Sequence, residues 1–168
     1  MTVTIRTEHP ADITAIEQLT RAAFADAPHT SGTEQAIVNA LRRAGQLSLS
    51  LVAQRGGDIV GHVALSPVSV SDGTGNWFGL APVSVLPACQ REGIGSRLIQ
   101  AALAHLRQTG AGGCVVLGDP GYYGRFGFVA EPRLVLPGVP AEYFQSILLD
   151  GAWPNGEVSY HESFNATQ

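Results

Sequence analysis

Residues 83–98 are the segment of this sequence best suited to chemistry. An apolar strand runs into the polar turn Gln90–Gly95, and an apolar helix follows directly. A helix that begins in this way directs its first, unpaired backbone N–H groups at whatever lies in front of them. Gly93 and Gly95 let the backbone approach a ligand closely, and Arg91 adds a permanent positive charge. The pattern predicts an anion site whose natural ligand is a phosphate or pyrophosphate.

Other interpretations of this turn give different chemistry. Without a ligand it is a tight connection between a strand and a helix. A dinucleotide-binding fingerprint needs a third glycine where the sequence has Leu98. A Walker-type phosphate loop needs a lysine, and the sequence contains none. The anion site and the plain turn are therefore the two interpretations to weigh.

Composition limits the class of protein. A chain of 168 residues is long enough for one domain with its own core, so we expect a single domain over 1–168. All ten basic residues are arginine and the formal net charge is −4, which argues against a nucleic-acid partner. The sequence has no apolar run of membrane-spanning length and no leader pattern, so we expect a cytoplasmic protein without a membrane partner.

Hydrophobic periodicity predicts the elements that position the turn. Residues 3–6 alternate as a short strand. Helical spacing then predicts two helices, and alternation predicts two strands joined by a hairpin. In chain order these are helix 10–24, helix 34–44, strand 47–54 and strand 59–70.

The elements around the turn show where the sheet should open. A strand over 77–85 contains Pro82, which cannot donate a ladder hydrogen bond, so we expect a gap in the sheet there. The helix after the turn ends near Gly110, and the apolar run Cys114–Leu117 predicts a buried strand in parallel pairing across a crossover. Beyond residue 136 we expect irregular chain with a short helix near 141–148.

Two motifs in order resemble the GCN5-related N-acetyltransferase (GNAT) superfamily. Gln90, Gly93 and Gly95 fill that family's pyrophosphate loop, Gln/Arg-x-x-Gly-x-Gly/Ala, after a strand and before a helix. The segment Tyr122–Phe128 resembles the family's aromatic-Tyr-x-x-x-Gly-Phe motif after the next strand. Two motifs at the right separation are much more specific than either alone. The second motif is also close to that of predicted bacterial acetyltransferases of the YhbS type.

The resemblance implies an α/β (α+β) fold. It consists of a mixed, mostly antiparallel central sheet of about six to seven strands flanked by about four helices. The family opens a cleft in this sheet, here between the Trp77–Val85 strand and the Cys114–Leu117 strand. Pro82 lies near the expected start of that opening.

The resemblance also implies the activity and the cofactor. An acetyl group would pass from acetyl-CoA to a primary amine by direct transfer in a ternary complex. The alternative is a sensor that binds CoA or acetyl-CoA without catalysis. In either case backbone groups of Val83, Ser84 and Val85 would pair with the pantetheine. The pyrophosphate would be held by the turn and the start of the helix, namely Gln90, Arg91, Glu92, Gly93, Ile94, Gly95 and Ser96.

Acetyl transfer needs two proton transfers, and the resemblance assigns one of them. Tyr123 matches the family's general acid, which protonates the leaving thiolate, and Tyr122 is assigned to packing. A strand N–H, that of Val85, would polarise the thioester oxygen. The base is not assigned by a motif, and the candidates are Glu34, His62, Asp119 and a water chain.

The acceptor is the least specified partner. In the family it is bound by the loop between the first two helices and by the C-terminal strands, where Asp26, His29, Glu34 and Glu131 offer charge for a cationic amine. Small molecules and peptides both fit, and a homodimer is left open. We interpret Cys89 as a packed or incidental cysteine rather than a nucleophile. The histidines lack a ligand spacing, so we expect no metal.

Overall fold

The computed structural model describes residues 2–25 and 32–168, which form four α-helices and eight β-strands. The helices are α1 (Ile13–Phe24), α2 (Glu34–Arg43), α3 (Ile94–Gln108) and α4 (Pro120–Tyr123). The strands are β1 (Val3–Thr7), β2 (Leu49–Arg55), β3 (Asp58–Val70), β4 (Trp77–Val85), β5 (Gly113–Leu117), β6 (Leu134–Val135), β7 (Phe144–Leu148) and β8 (Gly156–Tyr160). In the part of the chain that is described, no helix has both the length and the apolar character needed to span a membrane.

The strands form an open, mostly antiparallel sheet. Its hydrogen-bonded order is β1-β2-β3-β4-β5-β7, and β8 pairs with β3 and β6. Strands β4 and β5 run parallel, joined by α3, as the crossover prediction required. Their ladder joins Trp77–Gly79 to Gly113–Val115, so it ends before Pro82, where the sheet was predicted to open. The predicted fold class is confirmed.

By its contacts the chain divides into two compact units. The first contains Met1–Leu65, Ala81–Ala102 and Glu162–Gln168. Its helices α1 and α2 pack on β2 through Ile16, Val38 and Val52, each almost fully buried. Ile16 lies on the apolar stripe of α1, which the helical spacing of the sequence predicted. The helix itself begins at Ile13 rather than residue 10, because Pro10–Asp12 form a 3₁₀ turn.

The second unit contains Ser66–Leu80 and Leu103–His161. Its core includes Val68, Trp77, Val115 and Phe144, all less than a tenth exposed. The Trp77 ring lies 6.0 Å from the ring of the partly buried Trp153, which packs against this core.

The predicted C-terminal elements need correction. The short helix expected near 141–148 is wrong: Ala141–Tyr143 form one 3₁₀ turn, and Phe144–Leu148 are strand β7, antiparallel to β5. Strand β7 buries the polar side chains of Gln145 and Ser146, so its sequence lacks the apolar alternation by which strands are recognised. Strand β8, also in the segment expected to be irregular, brings the number of strands to eight.

Candidate active site

The end of β4 presents the predicted pantetheine strand. Ser84 is buried there, while Val83 and Val85 on either side of it are half-buried. The amide of Gln90, a predicted cofactor residue, donates from Nε2 to the Val85 carbonyl at 3.1 Å. This bond ties the turn back to the strand it follows, which gives the motif glutamine a positioning role.

The predicted pyrophosphate turn has an unusual backbone. Arg91 and Gly93 both adopt left-handed conformations, with φ of 67° and 84°. Left-handed residues in a turn gather neighbouring N–H groups into a concave surface for an anion. Arg97 N donates to Gly93 O at 3.1 Å and closes the first turn of α3. Ile94 is buried and anchors the helix, whereas Gly95 and Ser96 are half-buried.

The charges around the turn favour an anion. Glu92 would repel a phosphate, but its carboxylate pairs with Arg55 at 2.8 Å. Arg91 is exposed. The turn therefore offers backbone N–H groups and a guanidinium, the two donors that bind phosphates best.

Tyr123, the predicted acid, closes helix α4 in the second unit. Its ring makes edge contacts with the Tyr122 ring at 5.0 Å and with the Phe128 ring at 5.9 Å. Burial, with a smaller contribution from Tyr122, raises the pKa of Tyr123 to about 12. The phenol therefore keeps its proton at neutral pH, as a general acid must before it acts.

The turn before Tyr123 leaves little freedom to its ring. A Cβ added to Gly118 would lie 2.5 Å from Tyr123 Cε2, so only glycine permits this approach. The buried Gln145 amide donates to the Gly118 carbonyl at 3.0 Å and holds the turn against β7. Asp119 then caps α4, because its carboxylate accepts a bond from Gly121 N at 3.0 Å.

Comparison with known families gives a direct match to this arrangement of strand, turn, helix and aromatic motif. Residues 13–128 match the sequence model described as "Acetyltransferase (GNAT) family". The chain belongs to this family. The match covers most of the chain and includes both motifs, so the family resemblance and the acetyltransferase class predicted from the sequence are confirmed.

Individual relatives of this GNAT chain agree with the assignment. "Uncharacterized N-acetyltransferase YhbS" of Escherichia coli (strain K12) is 36% identical over 168 residues, which is 96% of this chain and 98% of that protein. A crystal structure of a GNAT family acetyltransferase from Brucella melitensis in complex with acetyl-CoA has a TM-score of 0.87 and 47% identity. The match covers 97% of this chain and 98% of the Brucella chain. The structure of E. coli YhbS in complex with CoA also has a TM-score of 0.87, at 35% identity. That match covers 99% of this chain and 93% of the YhbS chain.

The three candidate bases of this acetyltransferase have different surroundings. Asp119 is exposed and caps α4. Glu34 begins α2, where a carboxylate stabilises the N-terminus of the helix. His62 is fully buried on β3, with Nε2 at 2.7 Å from Ser50 Oγ, and burial lowers its pKa to about 4. His62 and Glu34 belong to the first unit and Asp119 to the second.

The predicted acceptor residues are only partly described. Asp26 and His29 lie outside the described residues. Glu131 forms an ion pair with Arg133, which lowers the pKa of the carboxyl group. Cys89 is half-buried in the turn, 3.8 Å from Arg55 Nη1. Within the ranges 2–25 and 32–168, no three His, Cys, Asp or Glu residues are grouped as metal ligands.

Sequence reasoning missed the residues that support the predicted ones. Arg55 neutralises Glu92, Gly118 and Gln145 hold Tyr123, and Ser50 binds His62. The only available signal was the glycine at 118, which directly follows a buried strand. The other supporting residues are distant in sequence from their partners and belong to no motif.

Proposed function

We propose that this GNAT chain, as a single domain over 1–168, moves an acetyl group from acetyl-CoA directly to a primary amine in a ternary complex. The observation that carries the proposal is the turn between β4 and α3. This turn contains two left-handed residues, Arg91 and Gly93, and between them Glu92, which is paired with Arg55. It follows the end of β4 and leads directly into the N-terminus of α3. The acetyl-CoA and CoA named in the two similar crystal structures are the ligands such a turn would hold.

Binding of the cofactor uses the backbone first. The strand end Val83–Val85 offers peptide groups to the pantetheine amides. The pyrophosphate lies against the N–H groups of residues 91–96, and Arg91 supplies charge. Gln90 keeps this turn attached to the strand through Val85 O, so that strand and turn form one surface.

Transfer then forms one bond and breaks another. The amine nitrogen attacks the thioester carbonyl carbon, and the Val85 N–H stabilises the negative charge that develops on the oxygen. The carbon–sulfur bond breaks, and the sulfur takes the phenolic proton of Tyr123. The raised pKa of Tyr123 keeps this proton on the oxygen until the thiolate appears. The amine proton leaves by a base, for which Glu34, His62, Asp119 and water are the candidates.

The acceptor class follows from the available charge. Asp26, His29, Glu34 and Glu131 were predicted near the acceptor, and carboxylates attract a protonated amine. Both small-molecule and peptide amines satisfy this requirement. We place the reaction in the cytoplasm, where acetyl-CoA is the co-substrate and no metal takes part.

Two measurements on the wild-type protein test the proposal. Calorimetry should detect binding of CoA and of acetyl-CoA. Mass spectrometry should then detect an acetylated product when acetyl-CoA is offered with ethanolamine, cadaverine, the proteinogenic amino acids or a short peptide with a free N-terminus. Binding without any product would favour the sensor function instead, and absence of binding would contradict both functions.

A further inference from the structure

Four side chains of the first unit form a hydrogen-bonded chain that ends at a buried histidine. Arg42 holds Glu8 with two bonds, Nε to Oε2 at 2.9 Å and Nη2 to Oε1 at 2.7 Å. Ser50 Oγ donates to Glu8 Oε1, and His62 Nε2 lies 2.7 Å from Ser50 Oγ. His62 is 0% exposed and Ser50 5% exposed, so water cannot substitute freely for these contacts.

The donors in this chain can be assigned from chemistry alone. Burial acts to raise the pKa of Glu8, but the bonds from Arg42 and Ser50 lower it overall, so Glu8 is a carboxylate and only accepts. Ser50 has a single hydroxyl proton, which goes to Glu8. Ser50 Oγ must then accept from His62 Nε2–H. Burial lowers the pKa of His62 to about 4, so the ring is neutral and Nδ1 carries a free lone pair. Nδ1 has no hydrogen-bond partner among the described residues.

The outer end of the chain reaches solvent. Glu8, Arg42 and Ser50 line a surface pocket of about 330 Å³ together with Gly45 and Leu47. The side chains of Glu8 and Arg42 are 17% and 21% exposed. A proton that arrives at Glu8 can thus leave to water in this pocket.

The inner end of the chain lies on the strand next to the proposed cofactor strand. Strand β4 lies beside β3, and the connection over residues 71–76 is too short for a parallel crossover, so the pair is antiparallel. Leu86 N donates to Val60 O at 2.9 Å. In this register Ser84, two residues before Leu86, lies opposite His62, two residues after Val60. Ser84 Oγ is also buried and, among the described residues, no hydrogen bond to it is found.

We propose that His62, Ser50 and Glu8 relay the proton of the acceptor amine from β4 to the surface pocket beside Arg42. This relay rests on the proposed acetyl transfer. It assigns the path by which the amine proton leaves, which the acetyl-transfer proposal left open. Two unpaired buried polar groups on neighbouring strands, Ser84 Oγ and His62 Nδ1, are the kind of site that a bridging water occupies. This water connects the amine to the chain.

Each step of the relay conserves protons. The amine gives a proton to the bridging water, which passes one to His62 Nδ1. His62 Nε2 gives its own proton to Ser50 Oγ, and Ser50 gives its original proton to Glu8, which releases it to solvent. Between turnovers Nδ1 gives its proton to water and Nε2 takes one back through Ser50, which restores the starting tautomer. Burial lowers the pKa of His62 to about 4, and Glu8 and Arg42 are the charged groups that act on it. The ring is therefore neutral at neutral pH, and Nδ1 takes a proton as Nε2 gives one up.

Ser50→Ala breaks the relay while leaving the cofactor turn intact. We expect kcat with the fastest amine of the panel to fall on the order of a hundredfold. This is the lower end of the usual contribution of general acid–base catalysis to a rate. The KM for acetyl-CoA should stay unchanged. Ser50→Thr keeps a hydroxyl and should restore most of kcat. Ser66→Ala, which removes a fully buried hydroxyl elsewhere on β3, is the matched control and should keep wild-type kcat.

A second variant and a spectroscopic measurement guard against misfolding of Ser50→Ala. Glu8→Gln keeps an acceptor for Ser50 but cannot take a proton readily, so kcat should fall here too. Long-range ¹⁵N–¹H NMR of the wild-type protein should show the Nε2–H tautomer of His62 without any turnover.

The outcomes separate this proposal from the acetyl-transfer proposal. An Nδ1–H tautomer in the wild type would overturn the relay alone. The relay alone would also fall if kcat in both Ser50→Ala and Glu8→Gln stayed within about twofold of wild type, well short of the expected loss. A wild type that binds CoA but acetylates no amine of the panel would overturn both proposals.

Discussion

Gly93 offers the sharpest test of the cofactor turn. Its φ is 84°, and a Cβ added there would meet no atom within 4 Å, so Gly93→Ala adds backbone strain and no clash. A left-handed conformation costs a residue with a Cβ about 1–2 kcal/mol. Gly93 is exposed, so the free turn can relax out of this conformation. Binding of CoA must then restore it.

The size of the effect follows from that strain. Since 1.4 kcal/mol is a tenfold change in affinity, the Kd for CoA should rise about five- to thirtyfold in Gly93→Ala. Gly73 provides a matched control, because its φ is 88° and an added Cβ there also meets nothing within 4 Å. Its turn is held by bonds from Gly73 N to Val70 O and from Thr74 N to Asp72 Oδ1. Gly73→Ala should therefore lose unfolding free energy and keep its affinity for CoA.

Calorimetry with CoA and urea unfolding of both variants are the assays. The reasoning is refuted if Gly93→Ala binds CoA as tightly as the wild type. It is also refuted if Gly73→Ala loses as much affinity, because the effect would then be general destabilisation.

Two further predictions concern Tyr123 and the first turn. Gly118→Ala should displace the Tyr123 ring and lower kcat without changing the Kd for CoA. In the control Gly124→Ala, the added Cβ meets no atom within 4 Å, so both kcat and Kd should stay unchanged. Equal kinetics in the two variants would contradict this prediction. The Arg6 hydrogen bond, against a smaller opposing effect of burial, lowers the pKa of Asp12 from its ordinary 3.8 to about 2. Asp12→Asn should therefore have a lower free energy of unfolding in urea than the wild type above pH 3.8. This difference in unfolding free energy should vanish as the pH falls through about 2. A difference independent of pH would contradict the role of this charge.

Strong periodicity made most of the fold predictable. Helix α3 and strands β3 and β4 lie within a residue or two of the ranges expected, because their apolar positions repeat along one face. Strand β7 was missed because its polar residues Gln145 and Ser146 are buried by tertiary contacts that no local pattern records. One of these contacts, from Gln145 to the Gly118 carbonyl, holds the turn before Tyr123.

The candidate site divides in the same way. Its turn and its tyrosine lie in contiguous motifs, and a contiguous motif can be recognised in one sequence. The chain of Arg42, Glu8, Ser50 and His62 joins a helix, a strand end and two strands that are far apart in sequence. Each member is ordinary by itself, so only the fold reveals the chain.

The central claim is that Tyr123 gives its proton to CoA during acetyl transfer. The most direct test is kcat of Tyr123→Phe at saturating acetyl-CoA, beside Tyr122→Phe as the neighbouring control. We predict that kcat falls about 10²–10⁴-fold in Tyr123→Phe alone, with an unchanged Kd for acetyl-CoA. A Tyr123→Phe protein that transfers acetyl at the wild-type rate would contradict the claim.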